Sequence, residues 1–255
     1  MYTRRTIMKV VVIGAAKPGY AESITRKLIS EGYGVIGTFD EEYTENAQKM
    51  QAEFSKDVLT LQKVDLSSRS ELENFVKTID GRLSGMIFAQ FFFYMENPDH
   101  FDHQMWDKSL AINLTAPNYL VHELKNRMDA GSSIVIITST EAYRGSYGAS
   151  AYAATKAAIH NLVRTLANNL GQYGIRINAL PAGWIGGEMD TDEIFNKSRS
   201  LTPLGRLGTD EEIANVAYFL FSKESSFVNG TTIIADGGYL GSDPLSKYEF
   251  EDSRM

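Results

Sequence analysis

A serine, a tyrosine and a lysine in one short stretch could do chemistry together. Residues 138–156 read TSTEAYRGSYGASAYAATK, and Ser139 stands at the end of an apolar, strand-like run. Tyr152 and Lys156 follow in a helical segment, four residues apart, which puts both side chains on one helix face. None of the other tyrosines, of thirteen in the chain, has a lysine four residues later. The spacing indicates a working pair rather than a packing tyrosine beside a solvated lysine.

Such a set can move a proton. A tyrosine hydroxyl has a reference pKa of about 10 and is a poor acid or base at neutral pH, but a nearby ammonium lowers that pKa. We therefore expect Tyr152 to donate a proton to a carbonyl oxygen as a hydride arrives, or to accept one in the oxidative direction. The Ser139 hydroxyl would hold the same oxygen and stabilise its developing charge.

The elements that must position these residues alternate along the chain. Continuous apolar runs predict strands at 9–13, 34–38, 58–63, 85–89, 133–138, 176–180 and 231–235. Helical patterns lie between them, at 21–31, 69–79, 106–128, 151–173 and 210–221. Apolar runs without alternation are typical of strands buried on both faces of a parallel sheet. The sequence therefore predicts an α/β fold, a doubly wound parallel sheet with helices on both faces.

The composition narrows the classes of function. The 255 residues carry a net charge of −7, with no basic cluster beyond Arg4-Arg5, so we expect no nucleic-acid partner. The chain has no cysteine, which excludes disulfides, thiolate catalysis and cysteine-ligated metals. His100 and His103, three residues apart in a polar stretch, could ligate a metal, but a solvated loop or helix start explains them more simply. We predict no metal site.

The sequence also indicates the domain organisation and the cellular location. No linker, repeat or low-complexity tract divides the chain, so we predict a single domain over residues 1–255. Residues 1–7 would form an N-terminal extension and residues 243–255 a polar tail or a subunit-contact arm. The apolar run near the N-terminus is too short for a signal-peptide core or a membrane span. We expect a cytoplasmic protein with no membrane partner.

Several further segments share a pattern with Ser139, Tyr152 and Lys156. They are Asn113 in LAINLTA, Asp65-Leu66 after the third predicted strand, INALPAGWI at 177–185, and PLGRLGTDEEIANVAYFLFSKESSFVNGTTIIADGG at 203–238. Over residues 8–240 the chain resembles the short-chain dehydrogenases/reductases, and in particular their bacterial 3-oxoacyl-carrier-protein-reductase-like members.

The resemblance implies a Rossmann-type fold and an NAD(P)-dependent oxidoreductase acting on a ketone or a secondary alcohol. It implies that Ser139 and Tyr152 act as described above and that Lys156 also hydrogen-bonds the nicotinamide ribose. Asn113 would hold a water in a proton relay. It further implies a homodimer or homotetramer, with the helices at 106–128 and 151–173 as the subunit contacts.

The cofactor loop departs from the family pattern T-G-x-x-x-G-x-G. Residues 13–21 read IGAAKPGYA, with Ile13 in place of the threonine and Ala21 in place of the third glycine. The helix that follows would still offer its N-terminus to a pyrophosphate. Lys17 is either a further phosphate contact or a surface lysine. The resemblance assigns the cofactor to Gly14, Ala16, Lys17, Gly19, Tyr20, Phe39, Asp40, Asp65, Leu66, Ala89, Tyr152, Lys156 and Ile185.

Two more segments depart from the pattern. Where the family has N-N-A-G, this chain has Ala89, Gln90, Phe91 and Phe92, followed by two more aromatic residues. These aromatic side chains could narrow the cofactor pocket, point into a substrate cavity, or form an unusual core or dimer contact. In PAGWIGGEMD, Gly187 stands where the family has a phosphate-binding threonine, so one phosphate contact is missing. The polar, acidic segment 186–200 would be a lid on the substrate side.

The choice between the two nicotinamide cofactors depends on the end of the second strand. In VIGTFDEEY, Phe39 aligns with the acidic residue of NAD-using relatives and Asp40 falls one place later. Asp40, Glu41 and Glu42 would repel the 2′-phosphate of NADP, whereas Lys17 would attract it. We expect NAD(H) to be favoured over NADP(H).

Two alternative functions remain open at this point. Three altered cofactor segments are compatible with a non-catalytic subunit or a small-molecule binder that keeps the fold and has lost the redox role. Relatives that eliminate halide from halohydrins also replace the cofactor loop with aromatic residues, but they have an arginine where this chain has Lys156.

Overall fold

One parallel sheet of six strands organises the chain. The structure, a computed structural model, describes residues 7–186 and 191–253. The strands are β1 Lys9–Ile13, β2 Gly34–Phe39, β3 Leu59–Lys63, β4 Leu83–Phe88, β5 Met128–Ser139 and β6 Arg176–Ala182. Their spatial order is β3-β2-β1-β4-β5-β6, and every neighbouring pair is parallel. The predicted α/β fold with a doubly wound parallel sheet is confirmed.

Helices cover both faces of the sheet. They are α1 Tyr20–Ser30, α2 Thr44–Glu53, α3 Arg69–Thr78, α4 His103–Leu110, α5 Ala116–Leu124, α6 Ser150–Gly171, α7 Asp192–Leu201, α8 Asp210–Phe221 and α9 Pro244–Asp252. Side chains of α3, α5 and α6 pack into one core with Val11 and Ile13 of β1. Side chains of α1, α2 and α8 pack into the other with Val10 and Val12. Successive residues of a strand face opposite sides, so the apolar run of β1 serves both cores.

The seventh predicted strand is not part of the sheet. Residues 231–235 follow the edge of β6 and pair with it through isolated bridges, Ala179 with Thr232 and Ala182 with Ala235. Backbone hydrogen bonds such as Ile233 N–H to Ala179 O hold this segment in place. The apolar run therefore predicted the extended segment at the correct place in the chain, but this segment is not a regular strand.

The helix predicted over 106–128 is also different in detail. It comprises α4, a π-helical turn at Ala111–Thr115, α5 and a short 3₁₀ turn at Lys125–Arg127. The π turn is a local widening that carries Asn113, and such turns are frequent at functional sites. The residues predicted as a polar tail contain α9, whose neighbour across the surface is α7, since Lys247 Nζ donates to the Ser200 carbonyl at 2.6 Å.

Candidate active site

The carboxyl end of β5 and the first two turns of α6 bring Ser139, Tyr152 and Lys156 together. Ser139 is the last residue of β5, and its hydroxyl forms a hydrogen bond with the Tyr152 side chain. Lys156 Nζ lies 5.4 Å from the centre of the Tyr152 ring. The three residues that the sequence singled out therefore share one site.

The electrostatics of this site differ from the expectation. Lys156 is only 4% exposed and has no carboxylate partner among the described residues, and burial lowers its pKa to about 7. Burial also raises the pKa of Tyr152, and its hydrogen bond with Ser139 offsets only part of that rise. The predicted lowering of the Tyr152 pKa by Lys156 is thus wrong for this conformation, because desolvation outweighs the weak field of a lysine that is itself half neutral near pH ~7.

Asn113 has a role that the sequence did not suggest. Its side-chain oxygen accepts from Phe92 N–H at 2.8 Å, and its amide donates to Phe92 O at 2.9 Å. The same amide also contacts the hydroxyls of Ser109 at 3.1 Å and Thr155 at 3.2 Å. All its polar atoms are therefore engaged by protein. These bonds let Asn113 position the segment that follows β4, and the water-holding role stays a prediction.

The loop after β1 keeps part of a phosphate-binding geometry. The Gly14 amide donates to the Thr38 hydroxyl at 3.0 Å, so that amide is already used. Gly19 precedes α1 with φ of 97°, a left-handed conformation that glycine adopts without strain. The first amide of α1, that of Tyr20, donates to the Asp210 carboxylate. A protein carboxylate thus takes one of the groups that a helix N-terminus offers to an anion.

Gln90 lies across this loop. A Cβ at Gly14 would approach Gln90 Oε1 within 2.8 Å, so the glutamine side chain packs directly on the glycine. Gln90 Nε2 donates to Asp40 Oδ2, and Gln90 Oε1 is buried without a hydrogen-bond partner among the described residues. Gln90 therefore links the first glycine of the loop to the acidic residue after β2.

Phe91 fills the space between the loop and the tyrosine. Its ring centre lies 3.4 Å from Lys17 Nζ and 5.7 Å from Lys156 Nζ. Ring centres of Tyr152 and Tyr20 lie 6.0 Å and 6.4 Å from it. Lys17, left open as a phosphate contact or a surface lysine, is partly buried against this ring, and burial lowers its pKa to about 8.

Two cavities border these residues. The first, here called the outer cleft, has a volume of about 720 Å³. Its lining includes Lys17, Asp40, Asp65, Gln90 and Phe91. The second, here called the tyrosine pocket, has a volume of about 500 Å³. Its lining includes Phe93, Ser139, Glu141, Tyr152, Trp184 and Tyr239. Phe93 borders both cavities, and its ring centre lies 5.3 Å from that of Tyr152.

Glu141 is a polar feature of the tyrosine pocket that sequence reasoning missed. Its Oε2 atom is buried and has no hydrogen-bond partner among the described residues, and burial raises its pKa. Arg144, in the same lining, is occupied by the carbonyls of Tyr239 and Ser242. Glu141 follows Ser139 by two residues, so the sequence could have placed it near the same site. Only the fold shows that its carboxyl group is buried.

The remaining predicted cofactor residues fall into two groups. Asp40 and Asp65 line the outer cleft. Ala16, Phe39, Leu66, Ala89 and Ile185 are buried or partly buried, and Phe39 and Ile185 pack against the core on the α1 side. Gly187, where the missing phosphate contact was expected, lies outside the described residues.

Comparison with known proteins supplies the family. A family model described as "Enoyl-(Acyl carrier protein) reductase" matches residues 14–240. The chain belongs to the short-chain dehydrogenase/reductase family. The predicted membership and the oxidoreductase class are confirmed by this match and by the relatives below.

Two curated relatives and one solved structure illustrate the similarity. The 3-oxoacyl-[acyl-carrier-protein] reductase FabG of Aquifex aeolicus is 29% identical over 245 residues, covering 90% of this chain and 96% of that protein. The human (3R)-3-hydroxyacyl-CoA dehydrogenase is 32% identical over 145 residues, 54% of this chain and 56% of the relative's length. The crystal structure of BdcA in complex with NADPH superimposes with a TM-score of 0.82 at 26% identity, covering 90% of this chain and 93% of BdcA.

The family implies a nicotinamide dinucleotide, and the two ends of the site fit it differently. The outer cleft offers carboxylates for ribose hydroxyls at Asp40 and Asp65 and a cation for phosphate at Lys17. The path from Lys17 to Lys156 is filled by the Phe91 ring. The residues therefore fit the adenosine half as they stand, and the nicotinamide half only when the Phe91 ring has turned away.

Among residues 7–186 and 191–253, no helix is long and apolar enough to span a membrane. Within the same part of the chain, no three side chains of metal-ligating type form a group that could hold a metal ion.

Proposed function

We propose that this chain is an NAD(P)-dependent oxidoreductase that interconverts a ketone and a secondary alcohol. The observation that carries the proposal is the hydrogen-bonded Ser139–Tyr152 pair, which opens on the tyrosine pocket with Lys156 behind it. The relatives named as a 3-oxoacyl-[acyl-carrier-protein] reductase and a (3R)-3-hydroxyacyl-CoA dehydrogenase support the same class of reaction.

The chain's own residues would bind the substrate oxygen and supply the proton. A carbonyl oxygen in the tyrosine pocket would accept hydrogen bonds from the Ser139 and Tyr152 hydroxyls, and these stabilise the charge that develops on it. Tyr152 then releases its proton to that oxygen, and in the reverse direction takes it back. A nicotinamide cofactor supplies or accepts the hydride when bound. A protonated Lys156 would favour the transient phenolate that remains on Tyr152.

For the cofactor we keep the preference for NAD(H) over NADP(H) as part of the proposal. Asp40, Glu41 and Glu42 all line the outer cleft, and their charges disfavour a 2′-phosphate there. BdcA, which was solved with NADPH, does not support this preference.

The substrate we propose has an apolar or aromatic body and a hydrogen-bond donor. Phe93, Trp184 and Tyr239 give the tyrosine pocket aromatic walls. Glu141 Oε2 is a buried acceptor without a hydrogen-bond partner among the described residues, and a buried acceptor gains most from a donor on the ligand. Hydroxylated or aminated ketones therefore suit the pocket better than their unsubstituted analogues.

From the sequence we propose one domain and a cytoplasmic location, and from the family resemblance a homodimer or homotetramer. No nucleic-acid or membrane partner is needed for the proposed reaction.

A second function is favoured by one specific observation. The Phe91 ring and the Gln90 side chain fill space that a dinucleotide would occupy. A small-molecule-binding or non-catalytic subunit with the same fold would have no need of that space. Such a protein would lack turnover with every carbonyl substrate.

The test is a carbonyl-reduction screen with NADH and NADPH, run on the wild type and on Tyr152→Phe. We expect turnover of at least one ketone by the wild type. Loss of the proton donor should lower the rate about 10²- to 10⁴-fold. A Tyr147→Phe variant is the matched control, because Tyr147 is fully exposed at the rim of the same pocket. Equal rates in the wild type and Tyr152→Phe would refute the assigned role, and absence of turnover in all variants would favour the second function.

A further inference from the structure

We infer that Phe91 decides how much of a dinucleotide this chain can hold. The outer cleft takes the adenosine–diphosphate half alone, and the Phe91 ring excludes the nicotinamide half until it leaves its position between Lys17 and Lys156. The inference rests on the proposed function, since it concerns the cofactor of that site.

The Phe91 ring lies in the path that a dinucleotide would take. A dinucleotide bound for the proposed reaction must run from Asp40, past Lys17, to a point beside Tyr152. Phe91 contacts the last two of these and Lys156 as well, with its ring centre 3.4 Å from Lys17 Nζ and 6.0 Å from the Tyr152 ring centre. The ring and the nicotinamide half of a dinucleotide cannot share that space.

Neighbouring side chains hold the Phe91 ring in this position. The Lys17 ammonium over its face is a cation–π contact, which strengthens where the pair is shielded from water. Tyr20 stacks on the ring and Tyr152 meets it edge to face. Contacts on several sides make the filled cleft the resting arrangement of the described residues, rather than one accidental rotamer.

The backbone next to Phe91 is also held in place. Asn113 holds both polar backbone groups of Phe92, the residue next to Phe91, at 2.8 and 2.9 Å. The segment therefore cannot easily shift as a whole. Release of the nicotinamide half-site requires rotation of the Phe91 side chain about its own bonds, and the contact with Lys17 opposes that rotation.

Phe91 does not obstruct the adenosine end, where Gln90 packs on Gly14. Gln90 uses one oxygen of Asp40, and the other has no hydrogen bond among the described residues and can accept from a ribose hydroxyl. The outer cleft, at about 720 Å³, lies within the usual range of about 300–1,000 Å³ for small-ligand sites. The ligand class that fits without rearrangement is an adenine nucleotide with a short phosphate chain.

The experiment compares ADP with NADH and NADPH by titration calorimetry on three proteins: the wild type, Phe91→Ala and Phe101→Ala. Phe101 is the matched control because it is a half-exposed phenylalanine, 53% accessible, in contact with His103 and Trp106 and outside both cavities. For the wild type and the control we expect ADP and the better dinucleotide to bind within about threefold of each other. Phe91→Ala should bind that dinucleotide at least tenfold more tightly and leave the ADP affinity within about twofold.

Other outcomes would overturn the inference. If wild-type protein binds a dinucleotide tenfold more tightly than ADP, and Phe91→Ala changes nothing, Phe91 does not exclude the nicotinamide half. If ADP fails to bind any of the folded variants, the outer cleft is not an adenine-nucleotide site. Tighter dinucleotide binding in Phe91→Ala without turnover of any ketone would instead leave the inference standing and refute the proposed function.

A second measurement covers the case in which Phe91→Ala does not fold. Fluorine labelling of the phenylalanines in otherwise wild-type protein, with Phe91→Tyr used to assign the resonance of residue 91, follows the ring directly. We expect NADH or NADPH to shift that resonance as the ring leaves Lys17, with a smaller shift for ADP. An unchanged resonance at saturating dinucleotide contradicts the displacement of the ring.

Discussion

Lys156 Nζ lies 5.4 Å from the centre of the Tyr152 ring but donates to the Ile137 carbonyl, at 3.2 Å. Both side chains are deeply buried, and burial shifts the pKa of each towards its neutral form, to about 7 for Lys156. At neutral pH, these pKa shifts leave Tyr152 neutral and Lys156 uncharged in part of the population. Covering of this site by Phe91 contributes to that burial, since its ring centre is 5.7 Å from Lys156 Nζ.

The lowered pKa of Lys156 predicts a pH dependence of stability. Between pH about 7 and about 10.5 the unfolded chain holds a proton on this lysine that the folded chain has released. The free energy of unfolding therefore rises with pH across this window, by up to about 1.4 kcal/mol per pH unit, and this contribution is lost as pH falls towards 7. Urea unfolding of the wild type and Lys156→Met at a series of pH values measures the difference.

The comparison isolates one group because other titrating residues are common to both proteins. Lys125→Met, which changes a partly exposed lysine in the turn after α5, should keep the wild-type slope. Parallel stability curves for the wild type and Lys156→Met would show that Lys156 stays charged in the folded protein.

Lys17 predicts a pH dependence of a different kind, in ligand affinity. Burial lowers its pKa to about 8, so below that pH it carries the charge that a phosphate requires. We expect the affinity for ADP to be steady below pH about 8 and to fall above it, by at most tenfold per pH unit. Lys17→Met should bind ADP weakly at every pH, without that dependence.

Lys63→Met provides the control, since Lys63 lines the same cleft but is exposed and paired with Glu41. It should retain the decline above pH about 8. A decline of the same size in Lys17→Met would assign the titration to another group.

Hydrophobic periodicity alone predicted most of the helices and strands. Individual elements show why it failed to predict the others. The span 210–221 predicted from its pattern coincides with α8, which begins at a Thr209–Glu212 capping box that the chain itself encodes. Helix α2 was missed because TENAQKMQAE is largely polar and buries only Ala47 and Met50. The π turn at Asn113 left no trace in the pattern, because one extra residue per turn does not disturb a short apolar stripe.

The site was recoverable from sequence as far as residue type and spacing reach. Ser139, Tyr152 and Lys156 meet because a strand end and a helix start fix them. The spacing could not reveal that Lys156 would be buried without a carboxylate, since desolvation depends on what covers it. Gln90 and Phe91 were visible as departures from a family pattern, but their contacts with Asp40 and Lys17 join segments about 50 and 70 residues apart, which only the fold brings together.

Asp40 predicts which nicotinamide cofactor is preferred. Its carboxylate lies in the outer cleft beside Glu41 and Glu42, where a 2′-phosphate would meet like charge. In Phe91→Ala, the background in which the nicotinamide half can enter, Asp40→Asn should shift the NADH-to-NADPH affinity ratio towards NADPH by about tenfold, or about 1.4 kcal/mol. Asp80→Asn, at an exposed position after α3, should leave the ratio unchanged. An unaltered ratio in Asp40→Asn would remove the basis for an NAD(H) preference.

Variants of Asn113 distinguish a role in positioning the backbone from a role in a water relay. It is 3% exposed, and its side chain bonds both polar backbone groups of Phe92. Asn113→Ala leaves those groups buried without partners, which should cost on the order of 3 kcal/mol in the free energy of unfolding. It should also loosen the adjacent Phe91 and tighten dinucleotide binding relative to ADP. Asn118→Ala is the control, because Asn118 Oδ1 has no hydrogen-bond partner in the described part of the chain, and we expect it to cost less than about 1 kcal/mol.

A water-relay role for Asn113 makes the opposite forecast. Its loss would then lower turnover of a ketone while urea unfolding and nucleotide affinities stay at wild-type values. Asn113→Asp refines the comparison: a carboxylate can still accept from Phe92 N–H but cannot donate to Phe92 O, to Ser109 or to Thr155. Intermediate stability in Asn113→Asp, between the wild type and Asn113→Ala, follows if the hydrogen bonds themselves hold the 91–92 segment in the cleft.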